Sequence, residues 1–347
     1  MQRDAYYDNV RFVLITFVVV GHFALAYLHG ASSKPVVILK DWIWLFHMPA
    51  FLFVSGMFAK GLYKPGRGLR ADSICFYVVM YFLFSCVIQL VMSTYSNPVF
   101  DPFNVYRISW YFLALAILGA SLPIAAHIRG GAKVVVPIAV LFALVADANA
   151  SFGPFLSLGR IVNFAPFYFL GYFMSQDRFK QITGRIRGSR LLLGADVLFL
   201  ALVFVVLWLV PSEYADTMFN LSMSYTYYGG CGNLPVGVIA LMRVLWFALA
   251  AAMLFGVSAL VPEGRTFYSE LGQRTLQVYL LHPLFYLPIT GFKIIPRFVT
   301  PYVPFDWLFV LLFAVVLTFV LAWPQFPAKL LKRFQRSLRI VAKDQTP

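Results

Sequence analysis

Three of the five histidines in this chain, His22, His47 and His282, fall inside long apolar runs, where an ionisable side chain needs a reason to be present. At the centre of a membrane helix such a group costs about 2.5–3.5 kcal/mol, so it faces a cavity or a polar partner. A low-dielectric site favours the neutral imidazole, which can act as a general base or as a nucleophile. Arg11 lies 11 residues before His22, close to three whole helical turns and about 16 Å of rise, so the two share one helix face. Asp8, three residues before Arg11, falls on nearly the same stripe and completes a polar ladder. Taken singly, His282 is equally well explained as a helix-to-helix hydrogen-bond donor and Arg11 as a snorkelling anchor. Arg243 is too deep in a later run to snorkel; no acidic partner stands out within a run, so it is expected to line an aqueous path. His29 and His127 lie at run ends, where water reaches them.

A second cationic group, Lys60, Lys64, Arg67 and Arg70, follows the second run. Guanidinium groups bind phosphate oxygens through planar bidentate contacts, and cations between runs also set membrane topology. Spacing alone does not separate these two roles.

The elements that must position these residues are membrane helices. Of the 347 residues 61% are hydrophobic and 12% charged, with mean hydropathy +0.78, whereas a soluble domain carries about a quarter charged residues. The net charge of +14 comes from short clusters between apolar runs and not from an aromatic-interleaved face, so nucleic acid is not an expected partner and the membrane lipid is. A span needs about 20 mainly apolar residues. Ten runs come near that, at 10–28, 41–60, 73–93, 108–127, 134–148, 161–176, 191–210, 234–261, 272–291 and 305–326. Turn-rich pieces separate them at 64–68, 129–131, Pro154 with Gly159, 229–232 and 301–304.

If the N-terminus is cytoplasmic, 21 Lys and Arg residues fall inside and 6 outside, with Arg243 in mid-span, so both termini are expected in the cytoplasm. The N-terminal run, with Ala24-Leu-Ala26 behind it, has some features of a cleaved signal. Asp4, Asp8 and the interruption at Gly21-His22 argue that it is retained. The stretch from Lys329 to Lys343 reads as a basic amphipathic tail on the inner leaflet. Cys75 and Cys86 share one run and Cys231 stands alone, which is neither a disulfide framework nor metal spacing. There is no P-loop and no dinucleotide fingerprint, and the scattered histidines are too few for a di-iron or zinc site, so no metal is expected.

Arg11 and His22, within Asp8-Asn-Val-Arg-Phe and Val18-Val-Val-Gly-His, resemble the Arg-x10-His signature of the membrane-bound acyltransferase-3 family. The segment Phe46-His-Met-Pro-Ala-Phe-Leu-Phe-Val-Ser-Gly56 is similar to that family's histidine-and-proline segment, and Arg67-Gly-Leu-Arg70 to its Arg-x-x-Arg pair. Weaker echoes are Trp110-Tyr-Phe-Leu, Arg160 with Phe164-Ala-Pro-Phe, and Val278-Tyr-Leu-Leu-His282. The likeness covers essentially the whole chain and is strongest to the fucose 4-O-acetylase-like branch.

That resemblance implies an all-α, polytopic protein of about ten transmembrane helices, with residues 1–347 forming one acyltransferase domain and 330–347 a basic cytoplasmic tail. It implies a multi-pass protein of the plasma (inner) membrane that takes an acetyl or other short acyl group from cytoplasmic acetyl-CoA to a hydroxyl of a surface carbohydrate or its lipid-linked precursor. In that setting Arg67, Arg70 and Arg11 are expected to hold the CoA end, and His22 to act as base or nucleophile. His47 and Arg160 would orient the acceptor or stabilise the oxyanion, with Asp8, Arg243 and His282 in support. The extra hydrolase-like outer domain of larger members is not seen, so transfer either completes here or passes to a partner protein outside. The competing reading is a transporter or flippase, since buried charges and kinked helices also mark substrate paths, but no inverted repeat is found.

Overall fold

In the computed structural model, which describes residues 4–101, 103, 108–148, 155–209 and 235–343, each expected apolar run appears as helix. The helices are α1 (Ala5–Leu28), α2 (Lys34–Phe58), α3 (Ala71–Ser93), α4 (Trp110–Ala120), α5 (Leu122–His127), α6 (Ala132–Ala148) and α7 (Leu158–Phe173). They continue with α8 (Gln176–Gly188), α9 (Arg190–Leu209), α10 (Val236–Leu260), α11 (Thr275–Leu281), α12 (Pro283–Gly291), α13 (Asp306–Ala322) and α14 (Phe326–Lys343). Strands β1 (Tyr63–Lys64) and β2 (Gly68–Leu69) form a small antiparallel hairpin after α2. Arg3, Arg107, Pro154, Cys231 and the expected turn at 229–232 lie outside the described residues.

By length and composition, six helices among the described residues can cross a membrane: α1, α2, α3, the α4–α5 pair, α9 and α10; α13 with α14, bent by 56°, makes a seventh. The remaining runs are shortened or broken for local reasons. Pro137 and Pro166 lie inside α6 and α7, and Pro283 splits the ninth run into α11 and α12, since proline has no N–H to give to the preceding turn. Pro49, by contrast, is accommodated within an uninterrupted α2. The expected turn at Gly159 lies inside α7; the chain turns instead at Leu156 and Ser157, both with positive φ.

The bundle is held by an aromatic-rich core and presents apolar side chains outward. Leu198 and Val205 of α9, Leu241 and Leu245 of α10, and Leu312 and Val316 of α13 are all exposed, as suits surfaces solvated by lipid tails. Helices α2 and α7 meet backbone to backbone. A Cβ on Gly56 would overlap the carbonyl of Tyr168, and one on Gly171 the carbonyl of Phe53.

Helix α1 is antiparallel to α13. Phe12 packs on Phe319 with ring centroids 4.9 Å apart, while Tyr27 O–H donates to Asp306 at 3.1 Å at the opposite end. The beginning of α1 and the end of α13 therefore share one end of the bundle, and cations gather there. Lys180 pairs with Asp4 at 2.8 Å, Arg187 with Glu263 at 2.5 Å, and Arg274 donates to the Ala322 and Trp323 carbonyls. We refer to this as the basic end. Helix α14 turns away from α13 there and lays Phe334 against Phe76 of α3.

Candidate active site

Within α1, Gly21 permits close approach of α2: a Cβ there would stand 3.2 Å from Trp44 Nε1 and 3.3 Å from Ile43. The next residue, His22, turns its Nδ1 to the Val18 carbonyl at 2.8 Å. His47 makes the same bond to Ile43 at 2.9 Å, and His282 to Val278 at 3.0 Å. A carbonyl can only accept, so each Nδ1 donates, and in the neutral ring each Nε2 keeps its lone pair. Three imidazoles from three parts of the chain thus present the nitrogen that a base or nucleophile uses.

These rings converge. His22 and His282 have ring centroids 5.1 Å apart, and Tyr286 stacks on His22 at 5.0 Å. His47 and Arg160 lie within electrostatic reach of His22. His282 is fully buried and its Nε2 has no hydrogen-bond partner among the described residues, whereas His22 is half-buried and has the more open surface. Arg160 is held over the Trp110 ring at 5.1 Å, and Trp110 in turn stacks on Phe164.

Toward the basic end the same helices build a second polar cluster. Arg11 lies over the Phe58 ring at 4.0 Å and 3.6 Å from Asp8, which also accepts from Gln273 at 3.1 Å. A cavity of about 210 Å³ opens here, lined by Arg11, Ser55, Phe58, Arg70, Tyr77 and Tyr168 among others. Arg70 is braced by Asp72 at 2.8 Å, and Ser55 shares a 2.7 Å hydrogen bond with Tyr111. From Tyr111, ring contacts step to Tyr279 at 5.3 Å and on to His282 at 6.1 Å.

Three helices therefore contribute to both clusters. Helix α1 carries Arg11 and His22, α2 carries Ser55 and His47, and α7 carries Tyr168 and Arg160. The intervals of 11, 8 and 8 residues correspond to about 12–16 Å of helix rise, which is the separation of the cavity from the histidines along the same three helices.

Of the residues singled out from sequence, Arg11 and Arg70 meet at the cavity with Asp8 on Arg11, and His22, His47, His282 and Arg160 meet at the other cluster. Arg67 lies apart, exposed in the β1–β2 hairpin turn. Arg243 is fully buried with its guanidinium over Trp246 at 5.1 Å and is not among the residues lining the cavity. Two carboxylates lie within the apolar runs: Asp41 is buried in α2 beside Lys40 at 3.1 Å, and Asp196 of α9 faces Gly256. His29 and His127 are exposed, as their positions suggested.

Sequence reasoning missed Tyr168 and Tyr286, and it named Ser55, Tyr111 and Tyr279 only within the segments that carry the family resemblance, with no role at the site. Only the run Tyr279, His282, Tyr286 carried a usable signal, since spacings of three and four put all three on one helix face.

No curated protein and no solved structure matches this chain. The family described as an acyltransferase domain matches residues 4–324, from the first residue before α1 to just past the end of α13, and so takes in both clusters. The chain belongs to the acyltransferase-3 family and is a multi-pass membrane acyltransferase.

Proposed function

We propose that this protein transfers a short acyl group, acetyl in the first instance, from acyl-CoA on the cytoplasmic side to a hydroxyl of a surface carbohydrate or its lipid-linked precursor, in the manner of the fucose 4-O-acetylase-like branch. The observation that carries this reading is the pairing of clusters by α1, α2 and α7, with cations at one end and unprotonated imidazole nitrogens at the other. The basic end is the cytoplasmic one by the positive-inside rule, which supports an orientation with both termini inside; the plasma membrane is the location proposed with it. Counting α6, α7, the α11–α12 pair and α13 as crossings beside the other long helices brings the number of spans to ten. An even number agrees with α1 starting and α13 ending on the same side.

In this reading Arg11 and Arg70 hold the phosphates of the donor at the cavity, with Arg67 a further cation on the hairpin outside it. The thioester reaches His22. As the acceptor oxygen bonds to the thioester carbon, its proton passes to His22 Nε2, the carbon–sulfur bond breaks, and the CoA thiolate leaves and takes up that proton. In the alternative route the same nitrogen attacks the thioester carbon, the carbon–sulfur bond breaks to release the CoA thiolate, and the acceptor hydroxyl then opens the acyl-imidazole, its proton going to the thiolate. Arg160 stabilises the oxyanion and His47 orients the acceptor.

The test is to supply acetyl-CoA labelled in the acetyl group to membranes and follow label into surface glycan. Wild type should label the glycan, and His22→Ala and Arg11→Ala should not; equal labelling by all three would sink the assignment. Removing the platform under Arg160 should act more gently. A cation–aromatic contact contributes about 0.5–2 kcal/mol, so Trp110→Leu is expected to slow transfer about two- to thirtyfold, and an unchanged rate would show that Arg160 needs no such support.

A further inference from the structure

Tyr168 is fully buried in α7 and lines the 210 Å³ cavity, yet its hydroxyl has no hydrogen-bond partner among the described residues. A buried hydroxyl left unpaired costs about 1–3 kcal/mol, a penalty that phenylalanine would avoid with nearly the same shape. The hydroxyl oxygen itself is buried from solvent. Three other polar side chains around the cavity have partners: Arg70 has Asp72, Ser55 has Tyr111, and Arg11 has Asp8.

Pockets for compact small molecules usually enclose about 300–1,000 Å³. A space of about 210 Å³ with two guanidinium groups on its wall suits a narrow chain whose anionic end stays near the arginines. Such a chain, lying alongside Tyr168, needs a polar group to satisfy the hydroxyl. The arm that joins the phosphates of CoA to its thioester is of this kind, since it is unbranched over most of its length and carries amides.

Resting on the donor reading above, we propose that the Tyr168 hydroxyl hydrogen-bonds an amide of the donor arm, making Tyr168 a binding residue that selects donors with an amide-bearing arm over donors that offer only phosphates. The hydroxyl is thus a liability in the free protein and an asset in the complex. The two states should respond to its removal with opposite sign.

The full-length protein in nanodiscs, wild type and Tyr168→Phe, would be compared in thermal unfolding without ligand and in binding of two probes. Acetyl-CoA has the arm; adenosine 3′,5′-bisphosphate has a phosphorylated nucleotide and no arm. Tyr168→Phe should unfold at the same or a higher temperature than wild type, bind acetyl-CoA about two- to tenfold more weakly, and bind the bisphosphate unchanged. Unchanged acetyl-CoA binding, equal weakening of both probes, or a lower unfolding temperature of the free variant would each overturn the role of Tyr168 and leave the donor reading standing. A wild type that binds no acetyl-CoA would instead overturn the donor reading, and this inference with it.

Discussion

His22→Gln is expected to lower acyl transfer by about 10²–10⁴-fold, the usual contribution of a positioned general base, while the protein still folds and inserts. Glutamine keeps a polar side chain of similar reach at a half-buried position beside Tyr286 and His282, but it has no basic nitrogen. The loss would therefore report chemistry and not packing. Turnover can be followed as release of free CoA thiol, with thermal unfolding of the same preparation as the control for folding. A His22→Gln enzyme that turns over within tenfold of wild type would remove His22 from the reaction.

The second large effect concerns structure. At Gly56 and Gly171 the atoms in the way of a Cβ are the backbone carbonyls of Tyr168 and Phe53, which have no rotamer to change. Small residues let membrane helices approach in this fashion, and overpacking a tight contact costs about 1–3 kcal/mol or more. Gly56→Ala and Gly171→Ala must push α2 and α7 apart. Those helices carry Ser55, His47, Tyr168 and Arg160, so folded yield in detergent and activity should fall together. Gly194→Ala in α9 meets nothing within 4 Å and serves as the comparison. If Gly56→Ala elutes and turns over like Gly194→Ala, the close helix contact is wrong.

Much of the helical plan was legible because apolar run length in a membrane protein is nearly a structural observable. The run at 73–93 became α3 at 71–93, and 234–261 became α10 at 236–260. Helix starts were placed late where polar residues open the helix: α1 begins at Ala5 under an Asp4 cap, and α2 at Lys34, before the buried Lys40–Asp41 pair. Helix α8 was missed altogether, since Gln176–Gly188 is polar enough to pass for a loop until Phe179 and Thr183 are seen buried. In the site, the Arg11–His22 ladder was readable because one helix period contains it. Tyr168 and Ser55 were not, because a hydroxyl among aromatic and aliphatic neighbours carries no signal until the helices that face it are known. Arg67 and Arg70 look equivalent in sequence, but the hairpin turn puts one into water and the other at the cavity.

The small volume of the space beside Arg11, about 210 Å³, gives the proposed reaction a direction. A carrier too bulky to follow its own thioester must retreat the way it came, so the by-product is released to one compartment and the ester to the other. In the proposed reaction each turnover would be vectorial: the group is exported while the coenzyme is retained, and the thioester's own group-transfer potential drives the export without an ion gradient.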